Sequence, residues 1–183
     1  RLEVTRAFSL VGGVRYDRQW VHRIDLVTAI KTQVDRTYTP VNWRVGAVYK
    51  IVRNTNLYAQ YSKATDAISN VCCITAPQML FNPSRGQQIE AGIKQSRRGG
   101  RLEWTLAGYR IVKKDLLIAD PILIATLIQV GSQSSEGVEA TVGFDIGSGL
   151  RIGANGTVLK PKFDEFFENV GGVRRSRNGN QPT

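Results

Sequence analysis

The sequence predicts an all-β fold, an antiparallel meander of long strands. Three observations predict it. Apolar and polar residues alternate with period two through most of the chain. The alternating segments are joined by tight turns rich in Asn and Gly. The connections also alternate in length, a short turn followed by a long loop.

The pattern is clearest from Pro40 to Ser62, PVNWRVGAVYKIVRNTNLYAQYS. Val41, Trp43, Val45, Ala47, Tyr49 and Ile51 share one face. Asn42, Arg44, Gly46 and Lys50 take the other, with Val48 its apolar exception. Arg53 to Asn56 makes the turn, and Leu57, Ala59 and Tyr61 then alternate with Tyr58, Gln60 and Ser62. Before this hairpin, Glu3 to Arg23 reads as one long strand, with Phe8, Leu10, Val14, Tyr16 and Trp20 on a face. Residues 24–40 read as a loop.

After it, Lys63 to Arg85 reads as a loop, and Asn82-Pro83-Ser84-Arg85-Gly86 is a dense turn signal. Gly86 to Gln95 alternates, with Ile89, Ala91 and Ile93 against Gln88, Glu90, Gly92 and Lys94. A turn at Ser96 to Gly100 leads into a strand from Arg101 to Lys114, where Leu102, Trp104 and Leu106 oppose Glu103, Thr105 and Tyr109. The pattern blurs at Ala107–Val112, which suggests a bulge there. Asp115 to Thr126 reads as a shorter loop. Leu127 to Ile146 is the longest strand, clean over Val138, Ala140, Val142, Phe144 and Ile146. Its GSQSSEG portion is polar on both faces and is expected to project beyond any apolar band. Gly147-Ser148-Gly149 turns the chain into Leu150 to Lys160, and Pro161 to Thr183 reads as a further loop or the approach to another strand.

Hydrophobic residues make up 42% of the 183. No apolar run approaches the 18 or so residues of a spanning helix. A membrane barrel remains open, because its strands need only about 9–11 residues, half of them polar. Long connections near 24–40, 63–85, 115–126 and 161–183 all fall at one end of the meander. Outer-membrane barrels have that asymmetry, with short periplasmic turns and long extracellular loops. Trp20, Trp43, Tyr49, Tyr58, Tyr61 and Trp104 near strand ends suit interfacial girdles. The start at Arg1 and the loop-like end at Thr183 are read as those of an internal fragment.

The net charge of +10 fits a solvated surface, or attraction to an anionic ligand or to lipid headgroup phosphates. Nucleic acid is disfavoured, since the charges are spread and no nucleic-acid motif occurs. Cys72 and Cys73 are adjacent, which matches no Cys-x-x-Cys spacing, and they read as free thiols or a vicinal disulfide. With His22 the one histidine, no metal site or cofactor is expected.

Several phrases resemble TonB-dependent siderophore receptors of the Gram-negative outer membrane. LYAQYS is similar to that family's LYASYS-type strand, and NPSRGQQIEAGIK to its P-x-x-G-x-x-x-E-x-G-x-K strand. TLAGYRIVKKDLLIADP with QVGSQSSEGVE resembles the next strand pair, and VGGVRRSRNGNQPT a late loop. The matches follow the family's order over residues 40–183. The resemblance implies that residues 1–183 are part of a transmembrane β-barrel of about twenty-two strands. It implies a separate N-terminal plug and terminal strands outside this chain, and contact with TonB through the missing N-terminal region. It also implies uptake of a ferric siderophore or similar chelate, without enzymatic activity.

Polar lumen-facing positions near the loop end are the candidate ligand contacts. By parity these are Asn42, Arg44, Gln88, Tyr109, Gln129 and Gln133, with Arg85 on the adjoining loop. Arginine pairs with an anionic chelate by charge-assisted hydrogen bonds, and Tyr offers a flat amphipathic surface. The iron arrives chelated, so no protein ligands to metal are called for. Glu90, Glu103 and Glu139 share the lumen face with Lys94 and Arg151, which suggests a ladder of ion pairs rather than a catalytic acid and base. Two other readings are a passive porin-type barrel, which lacks the phrase matches, and a soluble β-sheet binding module, which lacks a second apolar layer.

Overall fold

The computed structural model describes residues 1–24, 33–66, 81–119, 127–170 and 173–181. Among these residues it contains twelve strands. They are β1 (Leu2–Glu3), β2 (Phe8–Tyr16), β3 (Gln19–Ile24), β4 (Gln33–Tyr38), β5 (Val41–Val52) and β6 (Thr55–Thr65), then β7 (Arg85–Arg97), β8 (Leu102–Ala119), β9 (Leu127–Gly147), β10 (Leu150–Glu165), β11 (Phe167–Val170) and β12 (Val173–Ser176). Eight form one antiparallel sheet in the order β1-β2-β5-β6-β7-β8-β9-β10. The hairpins β3-β4 and β11-β12 stand outside it. Among the described residues the one helical feature is a single 3-10 turn at Arg98–Gly100.

The strands form because their residues satisfy two faces at once. Val45 pairs with Tyr61, which pairs with Ile89, so apolar side chains line up from strand to strand. Arg44, Ser62 and Gln88 line up the same way on the opposite face. The turns use left-handed backbone where the sequence supplies it: Asn54 at φ 69°, and Gly147, Ser148 and Gly149 at 96°, 55° and 80°. All the short turns of the main sheet lie at one end and the long connections at the other, as antiparallel succession requires.

The apolar face carries no second layer. Among the described residues only Tyr38, Ala107 and Phe166 are buried hydrophobics, while Val142, Ile152 and Val158 stand 45%, 55% and 80% exposed. Surface of this kind on a long sheet is what lipid covers. The band of apolar residues also climbs across the register. Its upper limit is Val41 on β5 but Val138 on β9, and Val138 lies level with Ala47 through Ala59, Ala91 and Gly108, a displacement of six residues over four strand-to-strand steps. With about 3.3 Å per residue and about 4.8 Å between strands, the strands tilt by about 45° to the band. That is close to the tilt of transmembrane barrel strands.

Four details depart from the pattern read in the sequence. Glu3 to Arg23 is three strands, broken by the residue 4–7 turn and at Asp17-Arg18. Gln33 to Tyr38, read as loop, pairs with β3 from Gln19↔Tyr38 to Ile24↔Gln33. The β8–β9 pairing keeps one register from Leu102↔Phe144 to Lys114↔Ser132, so no bulge shifts the phase at Ala107–Val112. The alternation blurs there because Ala107 and Ile111 face the polar side while Gly108 and Arg110 face the apolar side. Finally, β8 reaches Ala119, so part of the expected 115–126 loop is strand, and the stretch after Pro161, read as a loop or the approach to another strand, carries the end of β10 and the β11-β12 hairpin. Cys72 and Cys73 lie outside the described residues.

In the full-length protein, Val142→Arg on the lipid face is expected to cost about 2–4 kcal/mol. Thr141→Arg, one residue away on the lumen face, is expected to cost much less. Denaturant titrations of folding into lipid vesicles measure both, and equal costs contradict the facing.

Candidate functional site

The polar face of β5 to β10 is the candidate site. Its centre is Glu90 on β7. Tyr58 Oη donates to Glu90 Oε1 at 2.8 Å, and Gln60 Nε2 and Gln88 Nε2 donate to Oε2 at 3.0 and 2.9 Å. Tyr109 lies directly across from Glu90 on β8.

Glycines make this arrangement fit. A Cβ on Gly92 would lie 2.8 Å from Tyr58 Cε1 and 2.7 Å from the Leu106 carbonyl oxygen. A Cβ on Gly137 would lie 2.6 Å from Tyr109 Oη. Each tyrosine therefore lies flat over the glycine of the next strand, an aromatic covering a bare stretch of backbone. Arg151 similarly crosses Gly143, and its Nη2 meets Glu103 Oε2 at 2.9 Å.

The candidate residues separate into three groups. Arg44, Gln88 and Tyr109 share the polar face and sit on neighbouring levels. Arg44 is exposed, and no carboxylate among the described residues pairs with it. Beside it a cleft of about 160 Å³ is lined by Val11, Gly46, Val48, Tyr58 and Gln60. Gln133 keeps the same phase between Lys113 and Phe163.

Asn42 and Gln129 are on the expected side but are committed to structure. Asn42 is 7% exposed. Its Nδ2 donates to Asp17 Oδ2, and its Oδ1 accepts from the Thr65 amide, both at 2.7 Å. It ties β5 to the end of β2 and to β6. Gln129 Nε2 donates to the Asn82 and Asp115 carbonyls at 2.9 and 3.1 Å, pinning the loop before β7 to β8 and β9.

Arg85 is a correction. It opens β7 instead of lying on a loop, and it keeps the phase of Gln87 and Ile89, on the apolar side of the sheet. Its Nε and Nη2 donate to Asp115 Oδ2 at 3.0 and 2.8 Å. With Tyr38, Val41, Lys63 and Thr65 it lines an outer cavity of about 420 Å³.

The expected ladder of ion pairs holds for Glu103 with Arg151. Glu90 departs from it, taking three neutral donors. Two girdle aromatics are reassigned as well. Tyr58 faces the lumen, and Trp20 belongs to the β3-β4 hairpin, where Arg18 stacks over it at 5.0 Å. Trp43 and Tyr61 do pack on the outer face, 5.3 Å between centroids. The hub role of Glu90 was missed from the sequence, although Tyr58, Gln60 and Gln88 in one phase around a lone carboxylate was the available signal. Among the described residues no three His, Cys, Asp or Glu side chains are grouped to hold a metal ion. No described helix is long and apolar enough to cross a membrane, which says nothing of a barrel.

A tilted, single-layer antiparallel meander with a lipid-ready face, a polar face and long loops gathered at one end defines an outer-membrane β-barrel protein. Residues 1–182 match the family described as TonB dependent receptor-like, beta-barrel, and the chain belongs to that family. The metal-pseudopaline receptor CntO of Pseudomonas aeruginosa is 31% identical over 156 residues, 80% of this chain and 20% of that protein. The ferrichrome outer membrane transporter/phage receptor of Escherichia coli is 29% identical over 127 residues, covering 69% and 16%. Among solved structures, the siderophore receptor PiuA of Acinetobacter baumannii superposes with TM-score 0.79 at 22% identity, over 98% of this chain and 27% of that one. The ferric-catecholate import receptor Fiu of E. coli superposes with TM-score 0.67 at 22% identity, over 88% and 26%. The chain thus spans about a fifth of the curated relatives it matches. Family membership places it in the Gram-negative outer membrane and displaces the soluble-module reading.

Two outcomes follow from the geometry. Gly92→Ala in the full-length receptor is expected to cost about 1–3 kcal/mol by overpacking. The cost should shrink in a Tyr58→Ala background, because one of the two obstructions is then gone; denaturant midpoints of the four proteins measure it. At the loop end, hydrogen bonds from His22 and then Gln33 hold the Asp35 carboxyl below its usual 3.8. A carboxylate with a lowered folded-state value stabilises the β3-β4 hairpin above 3.8 and stops doing so as pH falls through the folded value. Hydrogen exchange of the hairpin amides, compared with Asp35→Asn, should show a difference at neutral pH that vanishes on acidification.

Proposed function

We propose that the full-length protein carries a ferric siderophore, or a similar metal chelate, inward across the outer membrane. TonB energises the step through an N-terminal region outside this chain. The observation that carries the reading is family membership over residues 1–182. The named relatives and neighbours add support, since they include a receptor for metal-pseudopaline, a ferrichrome transporter and siderophore receptors. The proposal contains no catalytic step.

The physical basis in this chain is a polar wall with a cation near the loop end that no described carboxylate pairs. Arg44 stands exposed beside the cleft with Gln60 and Tyr58, with Gln88 on its own level and Tyr109 nearby. A guanidinium binds carboxylate, catecholate or hydroxamate oxygens of an anionic chelate. Gln88 and Tyr109 supply hydrogen-bonding and flat apolar surface. Gln133 extends the polar surface toward β10. Asn42 and Gln129 hold the wall in shape.

Expression of the full-length gene in a strain lacking ferric-chelate receptors is expected to restore uptake of at least one ferric chelate, and only with TonB present. Arg44→Ala is expected to weaken binding of that chelate roughly tenfold. The effect should be larger at low ionic strength, where screening is least. A protein that restores no ferric-chelate uptake but passes small solutes without TonB overturns the reading in favour of a passive pore.

A further inference from the structure

At the short-turn end, the outer face carries a chain of hydrogen bonds that ends on an arginine. Thr55, Gln95, Arg97 and Trp104 share the lipid-facing phase of β6, β7 and β8, and register sets Gln95 between Thr55 and Trp104. Thr55 is 5% exposed, and its Oγ1 accepts from Gln95 Nε2 at 2.7 Å. Gln95 Oε1 accepts from Trp104 Nε1 at 3.1 Å and from Arg97 Nε at 2.9 Å. Both polar atoms of the Gln95 side chain are thereby engaged, and the Arg97 guanidinium is held by its inner nitrogen. Arg97 is exposed, and no carboxylate among the described residues pairs with it. The neighbouring turns add charge. The Ser96 amide donates to the Asn54 carbonyl at 2.9 Å, which sets the Arg53 turn beside this strand end. Arg101 follows the 3-10 turn, and its Nη2 reaches the Ile146 carbonyl at 3.4 Å. Arg53 and Arg101 are both exposed.

Arg97 keeps the outer phase, so a cargo passing inside the barrel does not explain it. Nor do the acids of this end, because Glu3, Glu103 and Asp145 all keep the lumen phase. Glu103 is moreover taken by Arg151 at 2.9 Å. The height of Arg97 points to a partner. It lies on the turn side of an apolar row made by Tyr49, Leu57, Ile93 and Leu106. That row borders an apolar hollow of about 620 Å³. Trp104 stands between the row and the turn, where an amphipathic ring suits the membrane–water boundary. The short turns of such barrels face the periplasm. Arg97 is therefore at the level of the inner-leaflet headgroups.

We propose that Arg97, held by Gln95, docks an anionic phospholipid of the inner leaflet. The lipid phosphate sits on the terminal nitrogens of Arg97, Arg53 and Arg101 add positive charge beside it, and an acyl chain lies in the apolar hollow. A guanidinium takes phosphate oxygens in a bidentate fork. An exposed arginine loses rotamer freedom when it binds, and Gln95 removes part of that freedom beforehand, so binding costs less. The same surroundings choose among headgroups. Among the described residues no acid keeps the outer phase at this height. A zwitterionic headgroup would bring an ammonium group to three arginines with no carboxylate to receive it. A glycerol headgroup brings the phosphate charge and hydroxyls alone. The site stands apart from the transported ligand, so a receptor whose cargo proves different still binds the lipid.

The test uses the purified full-length receptor in detergent micelles, titrated with phosphatidylglycerol and with phosphatidylethanolamine, with bound lipid read by native mass spectrometry. Wild type is expected to bind phosphatidylglycerol roughly fivefold more tightly than phosphatidylethanolamine. Arg97→Gln is expected to weaken phosphatidylglycerol roughly tenfold. Gln95→Met keeps the charge but removes the group that positions it, and is expected to weaken the same lipid roughly threefold. Lys50→Gln/Lys94→Gln, which removes charge at nearly the same height on the lumen face, is expected to bind as wild type does. Unchanged binding in Arg97→Gln or in Gln95→Met, an equal loss in the lumen variant, or equally tight binding of phosphatidylethanolamine overturns the proposal. Heat-modified gel mobility reports folding of each variant. If Arg97→Gln does not fold, Arg97→Lys carries the same test, since it keeps the charge but not the fork, with an expected loss of roughly threefold.

Discussion

Backbone hydrogen bonding without water is the constraint on which this structure depends. In the hydrocarbon layer an unpaired N–H or C=O costs several kcal/mol, and only helices and closed sheets avoid that cost. No described helix crosses, so the strands carry the whole requirement. The register answers it, with pairing running from Leu102↔Phe144 to Lys114↔Ser132 and from Thr55↔Gln95 to Thr65↔Arg85 without a shift. The outer edges of the eight-stranded sheet, β1 with β2 and β10, are where the rest of a closed barrel must join.

Once register is set, the two faces follow different rules. The outer face is apolar and meets lipid, which conforms to its shape. The lumen face is crowded, and small residues decide what fits. Gly92 and Gly137 let Tyr58 and Tyr109 lie across the sheet, and Gly143 lets Arg151 reach Glu103. Glu90 then gathers donors from two strands, which couples β6 to β7 through side chains as well as backbone. At the loop end the rule changes again. There Asn42, Gln129 and the Arg85–Asp115 pair bind strand ends to one another and to backbone carbonyls. Polar residues in that region hold the rim together as well as facing solvent.

The positive charge divides accordingly. Some cations are neutralised by neighbours, as Arg15 is by Asp17 and Lys113 by Asp66. Arg44, Lys50 and Lys94 face the lumen without a carboxylate partner among the described residues. A third set lies at the turn end of the apolar band, where Gln95 holds Arg97. One net charge of +10 therefore describes three different electrostatic environments.

The sequence by itself determined the meander, its turns and its faces. Period-two alternation records which side of a strand meets lipid, and Asn54 and the Gly147–Gly149 turn declare their geometry through residue type. The hairpin β3-β4 was not legible, because Gln33 to Tyr38 is polar enough to read as loop and is a strand only through pairing with Gln19 to Ile24. The site was legible only by parity, and parity assigns a side, not a partner. It placed Arg44, Gln88 and Tyr109 correctly on the polar face, but it could not show that Asn42 is occupied by Asp17 and Thr65, or Gln129 by two carbonyls. It placed Arg85 on a loop, where phase has no meaning, whereas pairing with Thr65 and Lys114 extends β7 to that residue and turns it to the outer surface. Residue order fixes alternation along one strand, but only pairing between strands, set by distant hydrogen bonds, decides where a strand ends and which side chains meet.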